Sequence, residues 1–290
     1  MSKECILYKK LKENKVQCLA CAHKCIISQG KTGICRVREN IDGRLFLIVY
    51  GRIASMNKDP IEKKPIYRFM PQTYAFSIGT VGCNFKCDFC QNYNISQVTK
   101  NEKKFIFGEK FSPEQIVEMA IKTECKSIAY TYNEPAIFIE FVKDCSVIAK
   151  EKGLKNILVT NGYFTKESFD YIKDFIDAIN IDLKGDEDFY KKFCFGNQKK
   201  VLENIKRFYD YGIHVEITTL IIPDENDSDN FLIKAAKFIS SVSKDIPWHI
   251  TRFFPKYKMT HKKITPIETM KRAEKIGKQA GLKYVYLGNI

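Results

Sequence analysis

The sequence predicts an α/β protein: a partial (β/α)6-type TIM barrel with a small N-terminal cysteine-rich extension. Short apolar β-type runs alternate with helical patterns from residue 74 onward. Alternation of this kind, with helices apolar on one side, implies a parallel sheet. It also fits an open doubly wound sheet. The barrel is favoured because polar residues stand at the C-terminal end of nearly every run, where a barrel assembles its site. Residues 1–43 are instead irregular, polar and rich in cysteine, and the domain boundary is expected near residue 65. The expected division is therefore residues 1–65, a cysteine-rich region with a short β-hairpin, and residues 66–290, the barrel.

In the extension, Leu45–Tyr50 and Ile53–Met56 read as two short strands around a Gly51-Arg52 turn, and the two prolines of Asp59–Tyr67 mark a connecting loop. The barrel strands are expected at Tyr74–Gly79, Ser127–Tyr132, Asn156–Thr160, Ala178–Asp182, His214–Ile222, Trp248–Phe253 and Lys283–Leu287. Helices are expected near 112–124, 135–152, 165–176, 199–211, 227–243 and 266–280. Ser112-Pro113-Glu114-Gln115 has the form of a capping box with proline at the first helical position. Thr165 and Ser228 are candidate N-caps, and Thr265-Pro266 is expected to open the last helix.

The 290 residues are enough for one large domain with an appendage. No apolar run reaches the roughly 18 residues of a membrane span. The lysine-rich N-terminus has no apolar segment after it and does not read as a signal peptide, so the expected location is the cytoplasm. The formal charge of +14 favours acidic partners. The lysines are scattered rather than gathered into one arm, so a solvated surface is the stronger expectation and nucleic acid the weaker.

Of 11 cysteines, seven fall in two groups, Cys18, Cys21, Cys25 and Cys35, then Cys83, Cys87 and Cys90. Clustered cysteines in a reducing compartment read as metal or redox sites. Cys5, Cys125, Cys145 and Cys194 stand alone and read as small apolar residues. The triplet has the spacing C-x3-C-x2-C with Phe89 before the last cysteine, just past the first barrel strand. Three thiolates on one loop suit a [4Fe–4S] cluster with one iron left open, since a fully ligated carrier uses four cysteines. An open iron can bind the amino and carboxylate groups of S-adenosylmethionine (SAM). The competing reading, a zinc knuckle, lacks a nearby fourth ligand.

With this loop the chain resembles the radical SAM superfamily. More narrowly it is similar to relatives of pyruvate formate-lyase activating enzyme, and within them to the radical SAM member of the AmmeMemoRadiSam system. Further stretches carry the resemblance: Cys18 to Cys25, Gly33 to Arg38, Thr131 to Pro135, Thr160 to Tyr163, Asp182 to Gly185, Glu216 to Pro223, Pro247 to His249 and Tyr284 to Asn289. It implies reductive cleavage of SAM to a 5′-deoxyadenosyl radical, with Cys83, Cys87 and Cys90 as cluster ligands. It also implies a cofactor-binding set of Phe89, Asn133, Glu134, Thr160, Asn161, Asp182, Lys184, His249 and Arg252. Glu134 would receive the SAM ammonium, or serve as N-terminal charge on the helix that follows. Lys184 would pair with a carboxylate of SAM or with Asp182. His249 and Arg252, three apart on a strand, face opposite sides, and the Arg252 guanidinium suits a carboxylate better. Val159 stands where activating enzymes commonly carry an aspartate.

For Cys18, Cys21, Cys25 and Cys35 three readings stay open: a closed zinc site, a second iron–sulfur cluster, or free thiols. The resemblance implies a protein substrate and a reductant such as flavodoxin or ferredoxin, with no membrane partner. Modification of RNA or of a small metabolite is the catalytic alternative. A non-catalytic iron–sulfur carrier is the alternative of another class.

Overall fold

The computed structural model describes residues 2–100 and 106–290. Its centre is one eight-stranded sheet in which spatial order follows chain order. The strands are β1 (Ser55–Pro60), β2 (Tyr74–Gly79), β3 (Ser127–Tyr130), β4 (Lys155–Thr160), β5 (Ala178–Asp182), β6 (His214–Ile221), β7 (Trp248–Arg252) and β8 (Val285–Gly288). β2 to β8 are all parallel, and β1 runs antiparallel along the edge of β2. β1 and β8 do not pair with each other, so the barrel is partial.

Helices α1 (Pro113–Lys122), α2 (Ile139–Glu151), α3 (Lys166–Ile172), α4 (Gln198–Asp210), α5 (Asp229–Val242) and α6 (Ile267–Gln279) provide the crossovers. The capping box at Ser112 and Gln115 forms, and Thr165 and Ser228 accept the N–H groups of Ser168 and Phe231. Thr265 does not cap α6. Its hydroxyl instead donates to the Ile221 carbonyl, 2.6 Å away, and accepts from the Phe253 N–H. The strand expected over Ser127–Tyr132 stops at Tyr130, because Tyr132 adopts a left-handed φ of 69° that a strand cannot continue through. No helix among the described residues is long and apolar enough to cross a membrane.

The hairpin expected over Leu45–Tyr50 and Ile53–Met56 does not form. Arg44–Leu47 folds back on Arg38–Ile41 through the Asp42-Gly43 turn. Ser55–Pro60 joins the central sheet, and Arg52–Ile53 pairs with Glu109–Lys110. Linear spacing cannot distinguish a strand that pairs with its neighbour from one that pairs with a distant edge.

The extension packs on the C-terminal face of the barrel. Ala22 donates its N–H to the Tyr163 carbonyl at 2.9 Å, and Thr165 Oγ1 donates to the Leu19 carbonyl at 2.5 Å. Arg38, 1 % exposed, reaches Glu140 on α2 with both terminal nitrogens and the Ile137 carbonyl with Nε. Buried apolar residues of both parts form one continuous core.

Candidate active site

The chain leaves β2 through Thr80-Val81-Gly82 into the cysteine loop. Gly82 has φ 92°, and a Cβ there would stand 2.7 Å from Val37 Cγ1 and 2.8 Å from the Cys35 carbonyl oxygen, so only glycine fits this turn. Asn133, just past β3, holds the same segment. Its Oδ1 accepts from the Thr80 N–H at 3.3 Å, and its Nδ2 donates to Thr80 Oγ1 and to the Gly82 carbonyl, both at 2.9 Å. Behind the loop, the π-helical turn Tyr190–Cys194 accepts two of its N–H groups: Lys86 donates to the Cys194 carbonyl and Asp88 to the Phe193 carbonyl.

Cys83, Cys87 and Cys90 open into one cavity of about 360 Å3 at the C-terminal ends of the strands, a size typical of cofactor sites. Phe89, Asn133, Glu134, Thr160, Asn161, Asp182 and Lys184 line it too. The parallel strands end at one level, so residues distant in sequence meet at one mouth. Burial pushes the thiols of Cys83 and Cys90 up. For Cys87 a hydrogen bond with the Cys194 thiol contributes most, followed by burial. Thiols held neutral in this way ionise when a metal takes the place of their protons.

Glu134 is fully buried, and its carboxylate ties two strand ends together. It accepts from the Ala136 N–H at 2.9 Å, the Thr160 hydroxyl at 2.7 Å and the Asn161 N–H at 2.8 Å. Burial raises its pKa to about 7, against the pull of those hydrogen bonds. It therefore caps the turn after β3 and also faces the cavity. Asp182 and Lys184 form an ion pair at 2.7 Å. Asn161 donates from Nδ2 to Asn84 Oδ1 at 2.7 Å, which links the β4 end to the cysteine loop.

His249 and Arg252 do not line the cavity. They do face opposite sides of β7, as their spacing requires. Thr251 lines the cavity, so His249, two residues before it, shares the inward face but lies deeper. There His249 Nε2 meets Glu216 Oε2 at 2.5 Å, with the His249 ring against Tyr67 and Tyr286. Glu216 also accepts from the backbone N–H groups of Tyr67 and Arg68, closing the far end of the barrel. Burial alone would raise the Glu216 carboxyl, but His214, His249 and these amides outweigh it and hold its pKa at about 2. Arg252 turns outward and donates from Nε to the Thr265 carbonyl.

The sequence reading missed three neighbours of the triplet. Cys194, read as an isolated apolar residue, lies beside Cys87. Lys100 donates to the Phe85 carbonyl within electrostatic reach of Cys83, Cys87 and Cys35. Ser96 Oγ lies 3.0 Å from Cys90 Sγ. Ser96 and Lys100 follow the triplet closely, and that proximity was the one available signal. No linear pattern marks Cys194. As the side chains stand, no three His, Cys, Asp or Glu groups among the described residues converge on a single ion.

Residues 77–235 match the family model described as the Radical SAM superfamily. The chain belongs to that superfamily. It is 44% identical over 289 residues to an uncharacterized protein of Methanocaldococcus jannaschii, covering 99% of this chain and 85% of that one. A provisionally named glycyl-radical enzyme activating enzyme of the same organism is 31% identical over 73% of this chain and 77% of its own. Among solved structures, a radical SAM methyltransferase from Sphaerobacter thermophilus superposes with TM-score 0.59 at 15% identity, over 76% of this chain and 67% of that chain, a likeness of fold. Membership implies a [4Fe–4S] cluster and SAM as cofactors. The three-thiol donor set and the cavity they share with an acid–base pair fit that requirement.

Proposed function

We propose that Cys83, Cys87 and Cys90 ligate three irons of a [4Fe–4S] cluster and that the chain activates a protein partner by abstracting hydrogen from it, in the manner of glycyl-radical activating enzymes. Together the cluster and SAM supply, with one electron from a reductant of the flavodoxin or ferredoxin kind, cleavage of a C–S bond to methionine and a 5′-deoxyadenosyl radical.

The carrying observation is the common cavity. The three thiols share it with Glu134, just past β3, and with Asp182 and Lys184, at the end of β5. An amino acid moiety presents an ammonium and a carboxylate. Glu134 and Asp182 offer acceptors to the first, and Lys184 a cation to the second. Asn133 and the Tyr190–Cys194 turn hold the cysteine loop in register with these groups. Phe89 offers its ring face to the Lys184 ammonium, 5.8 Å from the ring centre. The relative provisionally named as an activating enzyme supports a protein as the hydrogen donor.

The test is anaerobic reconstitution with iron and sulfide, followed by dithionite and SAM. Wild type should release 5′-deoxyadenosine and methionine, and Cys87→Ala should lose at least tenfold in both. Equal turnover by the two proteins would refute the ligand assignment. Deuterium from a protein fraction grown on deuterated glycine should then appear in 5′-deoxyadenosine. Its appearance only with RNA or small metabolites would refute the activating role.

A further inference from the structure

The extension carries a second cysteine set that the reaction cavity does not use. Cys18, Cys21, Cys25 and Cys35 line one small cavity of about 10 Å3, walled otherwise by isoleucine and small residues and by the polar side chains of His23, Arg38 and Asn84. That is room for about one water-sized body. At Gly33 an added Cβ would crowd Ile27 Cδ1 at 3.3 Å and touch Cys25 Sγ at 3.5 Å, so this glycine packs directly against the cavity wall.

An independent observation comes from Asn84, which is fully buried and lines the same cavity. Asn161 Oδ1 accepts from the Tyr163 N–H, so Asn161 Nδ2 is the donor to Asn84 Oδ1. This fixes the orientation of the Asn84 amide and leaves its Nδ2 without a partner. A buried donor unpaired in the wall of a four-thiol cavity leaves room for an acceptor there, and a metal-bound thiolate sulfur is one the cavity can supply.

We propose that Cys18, Cys21, Cys25 and Cys35 hold a single tetrahedral, thiophilic metal ion of the zinc class. Size selects the ion over a second cluster, since a cubane of irons and sulfides fills several times the volume of one water. The thiols do not converge in the present conformation. Each Sγ turns about one Cα–Cβ bond among staggered positions, and binding requires the rotamers that bring the four to one centre. Tetrathiolate zinc is closed to substrate, so the role is structural. The ion would fix Cys35, whose carbonyl abuts Gly82, and the loop of His23, whose Nε2 lies 3.0 Å from the Asn84 carbonyl oxygen. Both contacts buttress the approach to Cys83.

The test uses the full chain with Cys83, Cys87 and Cys90 all replaced by Ala, so that retained metal belongs to the extension. One zinc per chain is expected, with X-ray absorption fitting four sulfurs at about 2.3 Å. Cys25→Ser, at the partly buried ligand, should retain zinc at least tenfold more weakly against a chelator. Iron with sulfide in the triple variant, no metal at all, or a shell of nitrogen and oxygen would each overturn the proposal. If Cys25→Ser does not fold, absorption data on the wild-type chain decide the matter.

Discussion

Asn133 offers the sharpest check on how the cysteine loop is held. Its amide makes three hydrogen bonds to the segment that leads into Cys83, at 3.3, 2.9 and 2.9 Å. At a net worth of about 1 kcal/mol each, Asn133→Ala should cost about 3 kcal/mol. In a domain of this size that corresponds to a fall in Tm of roughly 5 °C. Asn133→Asp separates packing from polarity. The aspartate keeps an acceptor for the Thr80 N–H, and the Thr80 hydroxyl can turn to donate to it. The oxygen that replaces Nδ2, however, faces the Gly82 carbonyl oxygen, so two acceptors oppose each other. The near-isosteric variant should therefore be about as damaged as Ala at neutral pH and should recover when acid protonates the aspartate. Scanning calorimetry and iron per chain after reconstitution are the readouts, and both should fall together. A wild-type Tm and full iron loading in Asn133→Ala would refute the view that this side chain holds the loop.

Two further outcomes follow from buried charge. Burial lifts the Glu134 carboxyl from an ordinary 4.5 to about 7, so the folded state binds its proton more tightly than the unfolded chain does. Its contribution to stability is complete below 4.5 and is lost as pH rises through 7. The loss amounts to about 3 kcal/mol and should be absent from Glu134→Gln in thermal scans between pH 5 and 8. An identical pH profile for the two proteins would count against it. Arg38 and Glu140 are buried to 1 % and 0 % exposure, so Arg38→Met should destabilise by about 3–5 kcal/mol by stranding a carboxylate. Arg38→Met with Glu140→Met should recover most of that in denaturant titrations, and a double variant as weak as the single would disprove the coupling.

Much of the barrel was legible because its signals are local. Apolar runs bounded by caps gave the strands and helices, and Ser112, Thr165 and Ser228 cap as their residue types require. The cysteine loop was legible because all three thiols lie within eight residues, Cys83 to Cys90. Other assignments depended on what each strand end meets. Glu134 faces the cavity, but the Ala136, Thr160 and Asn161 donors also occupy its oxygens. His249 points inward as an active-site residue would, yet Glu216 engages it in the floor of the barrel.

The amino-acid sequence by itself determined the order of strands and helices, the thiol triplet and its place after the first barrel strand, because periodicity, capping and ligand spacing act over a few residues. Tertiary structure decided what those residues meet. It paired Ser55–Pro60 with the barrel edge rather than with its neighbour, set Cys194 beside Cys87, and gathered Cys18, Cys21, Cys25 and Cys35 around one cavity. Those contacts join points far apart along the chain, and they exist only once burial of the common core has brought the segments together.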